Sequence, residues 1–185
     1  MSEIARLVTG QPVDIRLATP ADMTLVRSFY EDLDDVATYY RFFGIRRQLP
    51  DRELRSAVSG TSSHVTLLAF DEDGLIGVGE YIIGTDPTSA AVAFAVADDH
   101  HREGIATLLL ERLALIAHDR GLLRFTAMVL PDNADMQLVF RTVGLTTHTC
   151  FEDGVVDVVL DLSSVVSLRA AAAKRAVPEP TKLSG

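Results

Sequence analysis

The sequence has little of what marks secreted and membrane proteins. It contains one cysteine, Cys150, no tryptophan, and no apolar run approaching the about 20 residues of a membrane-spanning helix. A single cysteine cannot form an internal disulfide, and the first residues lack the charged-then-apolar pattern of a signal peptide. We therefore expect a cytoplasmic protein with no membrane association.

Basic residues are also scarce. The chain has 17 Lys and Arg against 26 Asp and Glu, which gives a formal net charge of −9. Nucleic-acid binding favours a basic surface, so we expect no nucleic-acid partner, whereas an acidic surface suits a cationic partner such as a lysine side chain. Neither Gly-x-Gly-x-x-Gly nor a glycine-rich run ending in Gly-Lys-Ser/Thr is present, which disfavours dinucleotide-binding folds and P-loop NTPases.

Length and apolar content indicate one folded domain. The chain has 185 residues, of which 48% are hydrophobic, and this is ample for a single core. Strand and helix patterns run from residue 13 to residue 162, and these bounds define the expected domain. Residues 1–12 are interpreted as a loose leader. Residues 163–185 are expected to form a C-terminal helix, over the alanine-rich stretch 164–176, and a flexible tail.

The stretch from residue 92 to residue 121 organises the rest of the chain. An apolar run at 92–97 is typical of a buried strand, and a polar turn follows at 98–103. A helix then opens near Gly104, with apolar residues three and four apart on one face, and Gly121 suits the position just past its end. A second apolar run at 125–130 completes a strand–helix–strand unit, so these two strands should be parallel.

The remaining elements are hairpins and short helices around this unit. Alternating or apolar runs predict the strands, and residues that start or stop helices bound the helices. The predicted strands cover residues 13–18, 65–70, 75–83, 89–97, 125–130, 146–151 and 155–162. Besides the central helix, one helix is predicted to begin near residue 20 and others to cover 34–43, 51–58 and 134–143.

The start of the central helix offers anion-binding chemistry. The first N–H groups of a helix lack internal partners, and the helix dipole is positive there. Gly104 and Ala106 have almost no side chain, so a phosphate could approach the backbone closely. An ordinary strand-to-helix turn, with Gly104 serving packing, fits the same residues, and the spacing alone does not decide between the two.

The order of the predicted elements and several short sequence motifs together resemble the GNAT acyltransferase superfamily. Its signature, Gln/Arg-x-x-Gly-x-Gly/Ala, is matched at the central turn by His-Arg-Glu-Gly-Ile-Ala, residues 101–106. Four further sequence motifs resemble those of bacterial protein-lysine acetyltransferases of the Pat type. They are Tyr-Arg-Phe-Phe at 40–43, Val-Ala-Phe-Ala-Val-Ala-Asp at 92–98, Val-Leu-Pro-Asp-Asn at 129–133 and Phe-Glu-Asp-Gly-Val-Val-Asp-Val-Val at 151–159. The resemblance covers residues 13–162.

The resemblance implies an α/β (α+β) fold, with a mixed, mostly antiparallel sheet of about seven strands, flanked by helices and splayed between strands four and five. It implies acetyl-CoA as co-substrate, with the pantetheine arm along the fourth strand and the pyrophosphate on the turn, and it implies no metal. Asn133 matches an asparagine that meets the pantetheine from the other wall, although a helix cap is equally good chemistry. The residues implied in acetyl-CoA binding are Phe94, Ala95, Val96, His101, Arg102, Glu103, Gly104, Ile105, Ala106, Thr107 and Asn133.

The resemblance further implies direct transfer of the acetyl group to an amine. In Pat-type enzymes a glutamate two residues before the position of Ala93 takes the proton from the attacking ammonium. This chain has Ala91 there, so the usual base is missing. Glu80 is the best substitute, and we expect it opposite residues 91 or 92, with a pKa raised by desolvation if it faces the cleft. Its alternative interpretation is a solvent-facing strand residue.

Other polar residues near the turn have competing interpretations. His101 occupies the Gln/Arg position of the signature, and Glu103 would repel a phosphate. His100 and His101 could be a metal pair, but adjacent residues rarely ligate one ion, and no suitable Cys/His spacing follows. Arg41, Arg46 and Arg47 are expected on a solvated face, although they could also hold the 3′-phosphate of CoA or contact a partner.

Three functions are consistent with these patterns. The first is an acetyl-CoA-dependent N-acetyltransferase acting on protein lysine. The second is a catalytically weak or inactive acyl-CoA-binding sensor or regulatory module, which Ala91 favours. The third is acetylation of a small amine such as an aminoglycoside or polyamine, because an acidic surface suits a cationic acceptor of either size. Many members of the superfamily dimerise, which leaves a homodimer open.

Overall fold

A computed structural model of the chain describes residues 2–7, 9–42, 49–165 and 168–170. These residues form an eight-stranded sheet in the order β1-β2-β3-β4-β5-β6-β8-β7. The strands are β1 Ser2–Arg6, β2 Pro12–Leu17, β3 His64–Phe70, β4 Leu75–Ile83, β5 Ser89–Val96, β6 Arg124–Val129, β7 Thr146–Glu152 and β8 Val155–Asp161. The helices are α1 Met23–Asp32, α2 Asp35–Phe42, α3 Asp51–Val58, α4 Ile105–Asp119 and α5 Ala134–Thr142.

The N-terminal segment is a strand, so its interpretation as a loose leader is wrong. Residues 2–6 pair antiparallel with β2, which satisfies their backbone groups. Ala5 and Leu7 are also buried in the main core, which adds apolar burial to this pairing. The sheet therefore has one strand more than the seven predicted.

The two faces of the sheet carry separate cores. On one face α4 packs through an apolar side that includes Leu109 and Leu113. On the other face α1 and α3 pack through Phe29 and Leu54 onto the β-strands at Leu68. The apolar side of each of these helices meets a core, and strand β3, which has a helix-covered core on either face, is buried along most of its length.

Helix α4 lies very close to β4 because two glycines stand in the strand beneath it. A Cβ atom at Gly77 would be 2.7 Å from Ile105 Cγ2, and one at Gly79 would be 3.0 Å from Leu109 Cβ. A residue without a side chain allows this approach of helix to strand. The approach places the first turn of α4 against the sheet, next to the end of β5.

Strands β5 and β6 run parallel, as predicted, and separate soon after they begin. Their pairing covers only residues 89–91 of β5 and 124–126 of β6. Beyond that point β5 stays paired with β4 as far as Val96, while β6 stays paired with β8. The splay that the family resemblance implied between these two strands is confirmed.

The helices agree closely with the sequence patterns where the structure describes them. α3 has the predicted bounds, and α2 covers residues 35–42 of the helix predicted over 34–43. Within the predicted C-terminal helix, residues 168–170 are helical and Leu168 is buried. Residue 43, residues 166–167 and residues 171–185, on which parts of these predictions fall, lie outside the described residues, as do Arg46 and Arg47. Within the described ranges, no helix combines the length and apolar character needed to cross a bilayer.

Candidate active site

A cavity of about 1340 Å³ occupies the gap between β5 and β6. One wall consists of β5 with α2 and the start of α4, and the other consists of β6, β8 and α5. Many lining side chains are apolar, among them Val92, Phe94, Val129 and Phe140. Its size and its place at an opening of the sheet suit an extended ligand.

The β5 wall presents backbone hydrogen-bonding groups to the cavity. Past Ala91, β5 no longer pairs with β6, and alternate backbone groups along a strand point to each side. The predicted residues Phe94, Ala95 and Val96 all line the cavity. The rings of Phe94 and Phe140 meet edge to face, with centroids 6.3 Å apart, which joins the two walls. An amide-bearing ligand could therefore add to β5 as an extra strand.

The turn after β5 brings backbone N–H groups to the cavity mouth. Arg102 has a φ of 66° and Gly104 a φ of 93°, so two left-handed residues lie within three positions. The 15-residue helix α4 follows directly, and its first N–H groups carry the positive end of the dipole. Ile105, Ala106 and Thr107 line the cavity beside Gly104. Such an arrangement of a left-handed turn and a helix N-terminus suits an anion at the cavity mouth.

The side chains of His101 and Glu103 have partners within the protein. His101 Nε2 lies 3.2 Å from the Val96 carbonyl oxygen, at the end of β5. Glu103 Oε2 lies 3.0 Å from His100 Nδ1, and His100 Nε2 lies 3.5 Å from Asp71. The Glu103 carboxylate is thus directed to His100. Among the described residues, no three His, Cys, Asp or Glu side chains are grouped to hold a metal ion.

Arg102 and Asn133 lie at opposite sides of the cavity mouth. Arg102 Nε is 3.2 Å from Asp135 Oδ2, so an exposed ion pair connects the turn to the start of α5. Asn133 Oδ1 accepts a hydrogen bond of 3.0 Å from the Met136 N–H, which confirms its interpretation as a helix cap. Asn133 also lines the cavity, and its amide NH2 is the group that can donate to a ligand.

Ala91 stands where β5 and β6 part, and it lines the cavity. A methyl group cannot accept a proton, so this position supplies no base. Any proton acceptor for an amine at this point must come from another element or from water.

Glu80 is neither solvent-facing nor opposite residues 91 or 92, so both expectations are corrected. It pairs with Ala93 across β4 and β5 and is 8% exposed. Its carboxylate contacts the guanidinium of Arg41 on α2 and lies 2.6 Å from His64 Nε2 on β3. Burial acts to raise the pKa of Glu80, but the His64 hydrogen bond and the Arg41 charge outweigh it and hold the pKa below its ordinary value. The expected upward shift is therefore wrong.

Glu80 belongs to a buried network behind the cavity wall. A carboxylate only accepts hydrogen bonds, so His64 Nε2 donates to Glu80, and the other ring nitrogen, His64 Nδ1, is hydrogen-bonded to Ser56 Oγ at 2.8 Å. Burial raises the pKa of the adjacent Tyr30 to about 12, which keeps this phenol neutral. Arg41 lines the cavity and is largely buried, so its expected place on a solvated face is wrong. The network holds the guanidinium of Arg41 against Glu80 at the cavity wall.

The cavity also contains a carboxylate that the sequence patterns did not single out. Asp157 on β8 is half-buried and lines the cavity. It interrupts the run Val-Val-Asp-Val-Val at 155–159, and a lone carboxylate in an apolar strand is a signal that could have drawn attention to it.

Comparison with known proteins defines the family. The profile of the acetyltransferase (GNAT) family matches residues 26–145, which is most of the chain. The chain therefore belongs to the GNAT family of acetyltransferases.

Individual relatives agree with this assignment. The GNAT domain of PAT from S. lividans is 33% identical, covers 86% of this chain and 96% of its own, and superposes with a TM-score of 0.78. Acetyltransferase Pat of Mycolicibacterium smegmatis is 39% identical over 61 residues, which are 33% of this chain and 18% of that protein. The matched stretch is thus less than a fifth of this curated relative. Spermidine N-acetyltransferase from Vibrio cholerae, in complex with CoA and spermine, shares the fold, with 17% identity, coverage of 83% and 98%, and a TM-score of 0.65.

Proposed function

We propose that this protein transfers the acetyl group of acetyl-CoA to the side-chain amine of a protein lysine. The observation that carries the proposal is the cavity between β5 and β6, with a cluster of N–H donors at its mouth. The net charge of −9 suits a cationic acceptor. Similarity to PAT of S. lividans and to Pat of M. smegmatis supports a lysine acceptor over a small amine.

In this proposal acetyl-CoA lies along β5. Its pyrophosphate binds the N–H groups of residues 102–107, and its pantetheine amides bond to the backbone of residues 94–96. Asn133 donates from the opposite wall. The thioester then reaches the point beside Ala91 where the strands part, and a backbone N–H of β5 there can polarise its carbonyl.

The transfer requires removal of one proton before the attack. The acceptor ammonium gives up a proton to a base, and its nitrogen attacks the thioester carbon. The C–S bond breaks as the amide forms, and the CoA thiolate takes up the second proton from nitrogen. The products are an acetylated amine, CoA thiol and one released proton.

A second function is favoured by a single observation, the methyl group of Ala91 at the parting of the strands. A catalytically weak or inactive acyl-CoA-binding sensor keeps the cavity and the N–H cluster but needs no proton acceptor. Under this alternative, acetyl-CoA binds without turnover, and Ala91→Glu creates activity.

Isothermal titration with acetyl-CoA, and with CoA for comparison, tests the shared part of both functions. We expect micromolar binding by the wild type. Gly104→Ala should weaken it about tenfold, because a side chain at a φ of 93° costs about 1–2 kcal/mol in the binding turn. Gly121→Ala is the matched control, since Gly121 has a φ of 87° at the other end of α4 and should leave binding unchanged.

Transfer of isotope-labelled acetyl to a basic peptide with a central lysine then separates the two functions. Labelled peptide supports the acetyltransferase. Binding without transfer, together with activity in Ala91→Glu, supports the sensor. Absence of acetyl-CoA binding at high micromolar concentration contradicts both.

A further inference from the structure

The described part of the cavity wall contains three carboxylates, and they differ in their surroundings. Asp135 forms the ion pair with Arg102 at the mouth. Asp132 is exposed in the turn before α5. Asp157 is half-buried in the middle of β8, and none of the ion pairs among the described residues includes it. It is therefore the carboxylate best placed to bind the ammonium group of an acceptor amine.

The strand register places Asp157 on the same face of the sheet as Ala91. Ala91 stands beside Thr126 across β5 and β6, and cross-strand neighbours project to the same face. Met128, two residues further along β6, is on that face too, and it stands directly opposite Asp157. Asp157 is thus one strand spacing, about 4.8 Å, from the β6 edge of the gap.

This face is open on the β6 side of the gap. Helices α1 and α3 cover the other half of the sheet, over β3 and β4. On the β6 side, among the described residues, Met128 is 61% exposed and Cys150, which stands opposite Asp157 on β7, is exposed as well. An amine can therefore reach Asp157 from solvent while the thioester comes from the gap.

We propose that Asp157 is the general base of the transfer and replaces the glutamate that is missing at Ala91. This inference rests on the proposed acetyltransferase function. The Asp157 carboxylate accepts one proton from the acceptor ammonium, and the resulting amine attacks the thioester carbon. As the C–S bond breaks, the thiolate of CoA takes the second proton from the nitrogen. Asp157 then releases to water the proton that it accepted from the ammonium.

Other charged and titratable groups lie on this face of the sheet or line the cavity. Arg41 on α2 is held by Glu80 and lies on the opposite wall. Arg124 at the start of β6 pairs with Asp86. This face and wall also carry Tyr40 on α2, the mouth residues His100 and His101, Cys150, His148 and Glu152 on β7, and Asp161 on β8.

The test compares Asp157→Asn with Glu152→Gln, which removes a carboxylate from the same face but outside the cavity. We expect Asp157→Asn to lower kcat/KM for the lysine peptide by about 10²- to 10⁴-fold, with acetyl-CoA affinity unchanged. The loss should shrink as pH rises toward the lysine pKa of about 10.4, where the free amine needs no base. Glu152→Gln should behave as the wild type.

Two further variants separate catalysis from folding. In the Asp157→Asn background, Ala91→Glu should raise kcat/KM for the lysine peptide at least tenfold, because it supplies a carboxylate from β5. Asp157→Glu should retain more activity than Asp157→Asn at equal thermal stability. Wild-type turnover that Asp157→Asn leaves intact, or a loss that is independent of pH and not rescued, overturns this inference while the proposed function stands. A wild type that binds acetyl-CoA and transfers nothing overturns both.

Discussion

Replacement of Gly77 by alanine tests the close approach of α4 to the sheet. The new Cβ would lie 2.7 Å from Ile105 Cγ2 and 3.4 Å from Leu109 Cδ1. Carbon atoms in contact prefer about 3.5–4.0 Å, so the helix must retreat by about 0.8–1.3 Å. Ile105 cannot relieve the clash by itself, because a β-branched side chain in a helix is confined to one main rotamer.

The magnitude follows from two opposing effects. Overpacking of this kind costs about 1–3 kcal/mol, while alanine gains about 0.5–1 kcal/mol over glycine in a strand interior. The net loss of unfolding free energy is therefore up to about 2.5 kcal/mol, which lowers Tm by up to about 10 °C for a chain of this size. Because Ile105 begins α4, the same retreat displaces the N–H donors at the cavity mouth. We expect acetyl-CoA affinity to fall by about tenfold, or 1.4 kcal/mol.

The assays are urea unfolding and acetyl-CoA titration of Gly77→Ala, Gly84→Ala and the wild type. Gly84 has nothing within 4 Å of an added Cβ, so its replacement should be neutral or slightly stabilising. Ile105→Ala removes the clashing methyl group, and its combination with Gly77→Ala should show a favourable coupling energy. If Gly77→Ala matches Gly84→Ala in both stability and affinity, the reasoning about α4 is refuted.

Three other substitutions have defined outcomes. Arg41→Met should lower the unfolding free energy in urea by about 3–5 kcal/mol, because it leaves the Glu80 carboxylate buried without its cation. Asp22→Asn should destabilise at neutral pH, since hydrogen bonds from the adjacent guanidinium hold the pKa of Asp22 well below its ordinary value. A carboxyl group whose pKa is lower in the folded protein stabilises the fold at pH values above its unfolded-state pKa, and this contribution is lost as the pH falls. The difference in unfolding free energy between Asp22→Asn and the wild type should therefore narrow below about pH 4. Asp135→Asn should tighten acetyl-CoA binding about two- to fivefold at low salt, measured by titration, because it releases Arg102 and removes a negative charge at the mouth.

Each of these outcomes has a control and a contradicting result. Arg27→Met breaks an exposed ion pair with Asp51 and should cost less than about 1 kcal/mol, so an equal loss in Arg41→Met would argue against the buried network. A stability difference for Asp22→Asn that stays constant down to pH 2 would contradict the pKa argument. For Asp135→Asn, a gain in affinity that persists at high salt would show that charge is not its cause.

The sequence predicted those parts of the fold that local patterns specify. The strand–turn–helix–strand unit was recognised from the apolar run at 92–97, the spacing in the helix and two glycines, and α3 was predicted with its observed bounds. β1 was missed because residues 2–6 have no strong alternation. Their structure depends on pairing with β2 and on burial of Ala5, which are tertiary effects.

The parts of the site formed by contiguous residues were predictable, whereas the contacts between residues distant in sequence were not. The turn at 101–106 is a contiguous sequence motif, so its place at the cavity mouth could be predicted. The surroundings of Glu80 could not, because Arg41 and His64 lie 39 and 16 residues away and the hairpin register decides which face they share. The same holds for Asp157, whose position beside the gap follows from the pairing of β8 with β6.

The central claim is acetyl transfer from acetyl-CoA in the gap between β5 and β6. Its most direct measurement is mass spectrometry of a lysine-containing basic peptide after incubation with the protein and acetyl-CoA, with CoA thiol quantified in the same samples. We predict one acetyl-lysine for each CoA released, and a fall of about tenfold in both for Gly104→Ala relative to Gly121→Ala at acetyl-CoA concentrations below the dissociation constant of Gly121→Ala. No acetyl-lysine above the level without protein, or CoA release that does not depend on the peptide, would contradict the claim.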